Sequence, residues 1–311
     1  MSKEFVLMDQ DGAIDDFLAT MLLMTMEEVQ PLGVIVTPAD CYIQSAVSVT
    51  RKILDRMGCS SIPVAQSTVR GINPFPALYR RDCLIIDSFP ILNESEAIVT
   101  PLREESGQDF LIQTLQKATS PITLMVTGPL TNVATALDQA PEVEEKIKRI
   151  VWMGGALTVG GNVEKVFAPE HDGSAEWNVF WDPIAANRVW RSHIPIILCP
   201  LDLTNQVPVT PAFIKRLTKQ RRYSLSDLAG LCYSLALPQD YYCWDVLATA
   251  YLARPEFYSL REYETEIIAM GRSQGRSQLK SGGRKITVME SVDKQKFYEY
   301  ILDQWARDLV S

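Results

Sequence analysis

The sequence has little positive charge and few histidines. Its 311 residues include 38 acidic and 30 basic side chains, and the net charge is −8 at pH 7. Because no block of Lys and Arg is present, the chain is a poor candidate for binding a phosphate backbone, and we expect no nucleic-acid partner. His171 and His193 are the only histidines, and the six cysteines show no Cys-x-x-Cys spacing. The sequence therefore also lacks the usual ligand set of a zinc site.

Long hydrophobic runs are missing as well. The longest apolar segments, such as residues 194–199, fall well short of the roughly 18 residues that cross a bilayer. The first twelve residues reach an acidic segment without the apolar core of a signal peptide. Most cysteines lie in apolar surroundings, which indicates reduced thiols. We therefore expect a cytoplasmic protein with no membrane association.

Short apolar segments alternate with segments of helical length. This alternation predicts βαβ units around a buried, mostly parallel sheet, and thus an α/β fold. With no linker or internal repeat, we expect a single domain over residues 1–311. The predicted strands are residues 5–8, 32–37, 62–65, 122–127, 150–153, 194–198, 265–270 and 285–289. The predicted helices are residues 15–28, 42–57, 109–117, 130–137, 183–190 and one at the C-terminus, and residues 71–93 and 155–177 are predicted to be long loops.

Polar residues follow the predicted strands. Asp9 and Asp11 come at the end of the first strand, Asp40 follows the second, and Thr127 ends the fourth. Ligands bind beyond the carboxyl ends of the strands in such sheets, so we expect one shared site there.

Residues 9–16 read Asp-Gln-Asp-Gly-Ala-Ile-Asp-Asp. Four carboxylates this close repel one another unless something neutralises them, and a hard divalent cation would do so. The alternative is that Asp15 and Asp16 only favour a helix N-terminus. The spacing of the Asp residues excludes an EF-hand.

Haloacid-dehalogenase-type phosphatases also carry Asp-x-Asp-Gly after a first strand. If this chain were such a Mg²⁺ phosphatase, Asp9 would be its nucleophile. These phosphatases have Thr at the position of Ala13.

Four further segments complete a pattern: residues 126–132 (VTGPLTN), 153–156 (MGGA), 175–183 (AEWN followed by WDP) and 241–245 (YYCWD). Together with DQDGAIDD they closely resemble the nucleoside hydrolases, the metal-dependent N-ribohydrolases of the inosine-uridine type. Three details resemble the purine-specific (inosine-adenosine-guanosine) branch: Ala-Asp-Cys at 39–41, Asn-Pro-Phe-Pro at 73–76, and Trp244 directly before Asp245.

The resemblance implies one Ca²⁺ per subunit and a set of site residues. Asp11, Asp16 and Asp245 would bind the ion through carboxylates and Thr127 through its backbone carbonyl, and Asp11 would also be the general base. The residues implied to hold the ribose are Asp15, Met153, Asn162, Glu176 and Asn178. Those implied to face the base are Asp40, Tyr79 and Trp244. Asp9 would be a supporting residue.

The sequence departs from the family pattern in three places. Tyr79 stands where the purine branch usually has a second Trp, Ala13 stands where that branch has Asn, and the segment before Tyr241 is short. Many relatives place a His acting as general acid where this chain has Trp244. Stacking on Trp244 and Tyr79 would then have to activate the leaving base.

Simpler interpretations exist for single residues. Trp244 could be a core residue, Asp245 a helix cap, and Glu176 and Asn178 surface residues. His193 has the features of a surface residue, and His171 could approach the site from the long loop.

We therefore expect a Ca²⁺-dependent hydrolase of purine ribonucleosides that is active as a homodimer, with a tetramer as the alternative assembly. The alternatives are a non-specific or pyrimidine-active nucleoside hydrolase, a Mg²⁺ phosphatase, and a nucleoside-binding protein without turnover.

Overall fold

The computed structural model describes residues 3–95, 97–237 and 240–308. One sheet of nine strands runs through these residues in the order β3-β2-β1-β4-β5-β6-β9-β7-β8. The strands are β1 (Glu4–Gln10), β2 (Val29–Val36), β3 (Val64–Gln66), β4 (Ile122–Val126), β5 (Ile147–Met153), β6 (Ile196–Cys199), β7 (Tyr258–Ile267), β8 (Ser277–Leu279) and β9 (Arg284–Val292). Only β7 pairs antiparallel, with β8 and β9. The predicted α/β fold with a mostly parallel sheet is confirmed.

Helices cover both faces of the sheet. They are α1 (Ile14–Thr25), α2 (Ile43–Arg56), α3 (Ala77–Arg80), α4 (Asp82–Asp87), α5 (Gly107–Lys117), α6 (Thr131–Gln139), α7 (Trp177–Trp181), α8 (Pro183–Trp190), α9 (Leu201–Thr204), α10 (Pro211–Lys219), α11 (Ser224–Ala236), α12 (Trp244–Ala250) and α13 (Lys294–Trp305). No helix in the described ranges combines the length and the apolar character that a membrane span requires.

The alternation of side chains along β1 explains the two cores. Val6 and Met8 point to one face and pack with α1, α2, α11, α12 and α13, whereas Leu7 points to the other face and packs with α5, α6 and α8. Because both faces are covered, the central strands are apolar throughout, which is the pattern that predicted them.

One predicted loop was wrong. Residues 71–93 contain α3, α4 and a 3₁₀ helix at Pro90–Leu92, and the rest of the segment is irregular. Pro76 precedes α3, where its fixed φ favours a helix start, and Cys83 and Ile86 form a buried pair three residues apart in α4. The other predicted loop, residues 155–177, contains no helix or strand before Trp177, where α7 begins. Asp202 holds its beginning by accepting the N–H groups of Leu157 and Thr158, both at 2.8 Å.

Candidate active site

A cavity of about 300 Å³ lies at the carboxyl edge of the sheet. Its position is the one expected for a ligand site in an open α/β sheet. Twelve of the thirteen predicted site residues line it, and the exception is Asp9. The twelve are Asp11, Asp15, Asp16, Asp40, Tyr79, Thr127, Met153, Asn162, Glu176, Asn178, Trp244 and Asp245.

The turn between β1 and α1 carries Asp11 into the cavity. Gly12 has a φ of +83°, and a Cβ atom there would lie 2.6 Å from Cβ of Cys41, so only glycine fits. Oδ1 of Asp16 accepts the N–H of Asp11 at 3.2 Å and the hydroxyl of Thr127 at 2.6 Å. Its Oδ2 accepts the N–H of Ala13 at 2.9 Å. Asp16 therefore closes the turn and ties it to the end of β4.

Asp15, the neighbour of Asp16, connects α1 with α11 and α12. Its Oδ1 accepts the hydroxyl of Tyr233 at 2.8 Å. Its Oδ2 accepts the N–H groups of Asp245 at 2.5 Å and Val246 at 3.1 Å, at the start of α12. Burial raises the pKa of Asp15 to about 7. Asp15 lines the cavity and also serves as an anchor for α12, a connection that the sequence did not indicate.

The remaining carboxylates at the bottom of the cavity repel one another. Burial and then the charge of Asp16 raise the pKa of both Asp11 and Asp245 well above the ordinary value. Burial does the same for Asp40. Oδ2 of Asp11 and Oδ1 of Asp40 are buried and find no hydrogen-bond partner among the residues that the structure describes. Such atoms are costly to bury, so the site is suited to a positively charged or hydrogen-donating occupant.

The ligand atoms that this site offers determine whether it can hold Ca²⁺. Within the described parts of the chain, no group of three or more His, Cys, Asp or Glu side chains is arranged to hold a metal ion by itself. The donor type nevertheless fits a hard cation, because Asp11, Asp16 and Asp245 offer only oxygens and Ca²⁺ also takes carbonyl and water ligands. The carbonyl of Thr127 at present accepts the side-chain amide of Asn178 at 2.8 Å.

A rigid polar wall faces the acidic turn. Glu176 caps α7: Oε1 accepts the N–H of Asn178 at 2.9 Å, and Oε2 accepts the N–H groups of Gly155 at 2.9 Å and Val179 at 3.3 Å. Burial raises the pKa of Glu176 to about 7. The amide of Asn178 also donates to the carbonyl of Met153 at 3.1 Å.

Asn162 joins the same wall from the long loop, where its Oδ1 accepts the N–H of Trp177 at 3.1 Å. The protein thus orients these polar groups before any ligand arrives. Their burial and hydrogen bonds also show that Glu176 and Asn178 are not surface residues, because each is less than a tenth exposed.

Aromatic rings form the more open part of the cavity. Trp244 is half-buried and packs against Tyr241, with ring centres 4.5 Å apart and planes at 70°. Its Nε1 is buried without a partner. Tyr79 packs edge-on against Trp177 at 6.2 Å and donates its hydroxyl to Glu164 of the long loop. The structure therefore brings Trp244 and Tyr79 to the same cavity.

Asp9 lies beside the cavity without lining it. Its Oδ1 accepts the hydroxyl of Thr37 at 2.8 Å, and Asn132 donates to both its oxygens at 3.0 Å. A carboxylate enclosed in this way is poorly placed to attack a phosphate, which disfavours the phosphatase alternative.

The two histidines lie outside the cavity lining. His171 is buried, with Nε2 2.8 Å from the carbonyl of Gln274 and Nδ1 accepting the N–H of Gly173 at 3.0 Å, so both nitrogens are occupied. His193 is exposed, as predicted.

Several lining or supporting residues were missed by the sequence reasoning. Tyr241 and Trp177 line the cavity inside two of the recognised motifs, and their position there was a usable signal. Asn205 was not missed: it is one of the polar residues that follow the predicted sixth strand, where the shared site was expected, and it lines the cavity. Tyr233 had no such signal, because it lies among apolar residues of α11.

The sequence and the fold of this chain are similar to those of known proteins. The family model "Inosine-uridine preferring nucleoside hydrolase" matches residues 6–299. The solved structure of an inosine-uridine preferring nucleoside hydrolase from Bacillus anthracis is 42% identical, covers 97% of this chain and 99% of that chain, and has a TM-score of 0.94. A pyrimidine-specific ribonucleoside hydrolase RihA from Shewanella sp. (strain ANA-3) is 27% identical over 98% of this chain and 97% of its own length. A purine-preferring ribonucleoside hydrolase from Gardnerella vaginalis, 24% identical with coverage of 97% and 98%, shares the fold with a TM-score of 0.79.

Proposed function

This chain belongs to the inosine-uridine preferring nucleoside hydrolase family, and we propose that it hydrolyses the N-glycosidic bond of purine ribonucleosides to free base and ribose. The observation that supports this most is the combination of features in a single cavity. Buried carboxylates at its bottom are suited to activating water beside a sugar, and half-buried aromatic rings nearer its opening are suited to holding a base.

Asp11 is the proposed general base. Its unpartnered Oδ2 accepts the proton of the attacking water, the water oxygen bonds to C1′ of the ribose, and the C1′–N bond breaks with its electron pair leaving on the base. The base then takes up a proton. A Ca²⁺ ion, held by the carboxylates of Asp11, Asp16 and Asp245 and the carbonyl of Thr127, would orient the water and offset the carboxylate charge.

The ribose is assigned to the polar wall. Glu176, Asn178, Asn162 and Asp15 supply hydrogen-bonding groups, and Met153 supplies an apolar contact. Because these groups are held by backbone hydrogen bonds, they lose little freedom when a sugar binds, which favours a correctly oriented complex. Positive charge that develops on the sugar in the transition state would be stabilised by the nearby carboxylates.

Preference for purines rests on the aromatic rings. Trp244 and Tyr79 can stack on a base, and a purine offers the larger surface together with N7, which Asp40 or solvent could protonate. A second candidate is activity on both inosine and uridine, or mainly on pyrimidine nucleosides. It is favoured by two relatives, the inosine-uridine preferring hydrolase from Bacillus anthracis and the pyrimidine-specific hydrolase from Shewanella.

The test is release of ribose from inosine, guanosine, adenosine, uridine and cytidine. Asp11→Asn should lose activity, and Asp303→Asn, the same change at an exposed position of α13, should keep it. Release of phosphate from ordinary phosphomonoesters without release of ribose would refute the proposal, as would nucleoside binding without any turnover.

Metal, assembly and location complete the proposal. We propose Ca²⁺ as the resident ion, a homodimer and a cytoplasmic location. Elemental analysis of the purified protein, light scattering and cell fractionation are the respective measurements.

A further inference from the structure

We infer that Tyr233 is a positioning residue that holds Asp15 for recognition of one ribose hydroxyl. The inference rests on the proposed function and adds to it a residue outside the recognised motifs. Tyr233 is completely buried in α11 and does not line the cavity.

The hydroxyl of Tyr233 has a restricted set of partners. It donates to Oδ1 of Asp15 at 2.8 Å, and among the described residues its one other polar neighbour is Sγ of Cys243 at 3.8 Å. Aromatic rings pack around the phenol, with centres at 5.9 Å for Phe213, 6.2 Å for Tyr241 and 6.4 Å for Trp305. The ring therefore cannot turn away without disturbing the core, and its hydroxyl fixes the direction of the Asp15 carboxylate.

The hydrogen bonds of Asp15 leave room for a single further donor. An ionised carboxylate offers about four acceptor positions. Tyr233 occupies one on Oδ1, and the N–H groups of Asp245 and Val246 occupy two on Oδ2. Since Asp15 lines the cavity, the remaining position is available to one hydroxyl of a bound sugar.

Loss of the Tyr233 hydroxyl should therefore affect sugar selectivity. Without it, Oδ1 of Asp15 loses the one donor that the described residues supply to it, while the two backbone N–H groups still hold Oδ2. The carboxylate can then rotate, and the sugar hydroxyl loses a fixed acceptor. A site that hydrogen-bonds a substrate hydroxyl discriminates strongly against the analogue lacking it, and that discrimination depends on accurate placement.

The experiment compares Tyr233→Phe with Tyr258→Phe. Tyr258 is also buried and donates its hydroxyl at 2.7 Å, but to the carbonyl of Leu247, and it does not line the cavity. The kcat/KM of each protein is measured for inosine, 2′-deoxyinosine and 3′-deoxyinosine. The ratio between substrates does not depend on how much of the protein is folded, so a loss of stability cannot imitate the effect.

For Tyr233→Phe we expect the kcat/KM for inosine to fall about tenfold. The kcat/KM for one of the two deoxynucleosides should fall less than about threefold. Tyr258→Phe should lower the melting temperature without changing either ratio. If Tyr233→Phe kept the wild-type ratios of kcat/KM between inosine and both deoxynucleosides, the inference would be overturned. So would failure of Tyr233→Phe to fold where Tyr258→Phe folds, because the hydroxyl would then be a structural group. A wild-type chain that cleaves no nucleoside would instead overturn the proposed function, and the inference with it.

Discussion

Substitution of Trp244 by Ala tests how the leaving base is activated. Trp244 lines the cavity, and Tyr241 packs against it at 4.5 Å, which fixes the orientation of the indole. Stacking of a base on an aromatic side chain contributes about 1–3 kcal/mol, which corresponds to roughly 5- to 150-fold in rate or affinity. We expect Trp244→Ala to lower kcat for inosine by a factor in this range and to change KM less.

The assay pairs inosine with a substrate whose leaving group needs no help. A nitrophenyl riboside carries an activated leaving group, so its hydrolysis should fall less than about threefold in Trp244→Ala. Trp244→Phe is the matched control, because it keeps an aromatic face at the start of α12 and should retain most of the activity on inosine. The control also separates loss of stacking from displacement of the neighbouring Asp245.

Two results would refute this reasoning. Equal losses on inosine and on the nitrophenyl riboside would show that Trp244 supports the site as a whole. Comparable kcat/KM values for uridine and inosine in the wild type would show that stacking does not select purines, because pyrimidines stack less well and lack N7.

Three further predictions follow from the acidic groups. Asp11→Asn should lower turnover by about 10²–10⁴ while ligand binding, measured by calorimetry, changes much less; more than about a tenth of wild-type turnover would contradict its role as base. Removal of divalent metal should abolish activity, and Ca²⁺ at 100 times its Kd should restore it and add about 2.7 kcal/mol to the free energy of unfolding; unchanged activity and melting temperature would count against a metal site. Burial raises the pKa of Glu176 from the ordinary value of 4.5 to about 7 in the folded state, so folding favours the protonated form. The contribution of Glu176 to the free energy of unfolding is therefore complete below pH 4.5 and is lost as the pH rises through 7. Urea unfolding of the metal-free chain between pH 4.5 and 7.5 should therefore show a larger loss of stability in wild type than in Glu176→Gln.

Most of the fold was predictable because hydrophobic periodicity reports burial directly. The central strands lie between two helical layers and are apolar on both faces, so β1, β4 and β5 were recognised within a few residues. The beginning of β7 was missed because its residues from Ser259 to Glu262 are exposed and all but one of them polar, and α4 was missed because one buried pair does not make a periodic pattern.

The lining of the cavity was predictable for a different reason. Residues at the carboxyl ends of parallel strands must meet, and three of the five recognised motifs follow β1, β4 and β5, so their members converge on one cavity. The partners of these residues were not predictable. Nothing in α11 distinguishes Tyr233 from the apolar residues around it, and nothing near Tyr79 indicates that its hydroxyl would bond to Glu164.

The Asp15–Asp16 pair shows why single residues of this site are difficult to interpret in isolation. The two neighbours bind to different elements around the cavity. Asp16 holds the turn after β1 and the end of β4, and Asp15 holds α11 and the start of α12. Two adjacent side chains in the first turn of α1 thus join segments more than 200 residues apart in the sequence. A helix-terminus role and a site role are therefore compatible, because the helix that Asp15 anchors is α12, whose first turn carries Trp244 and Asp245.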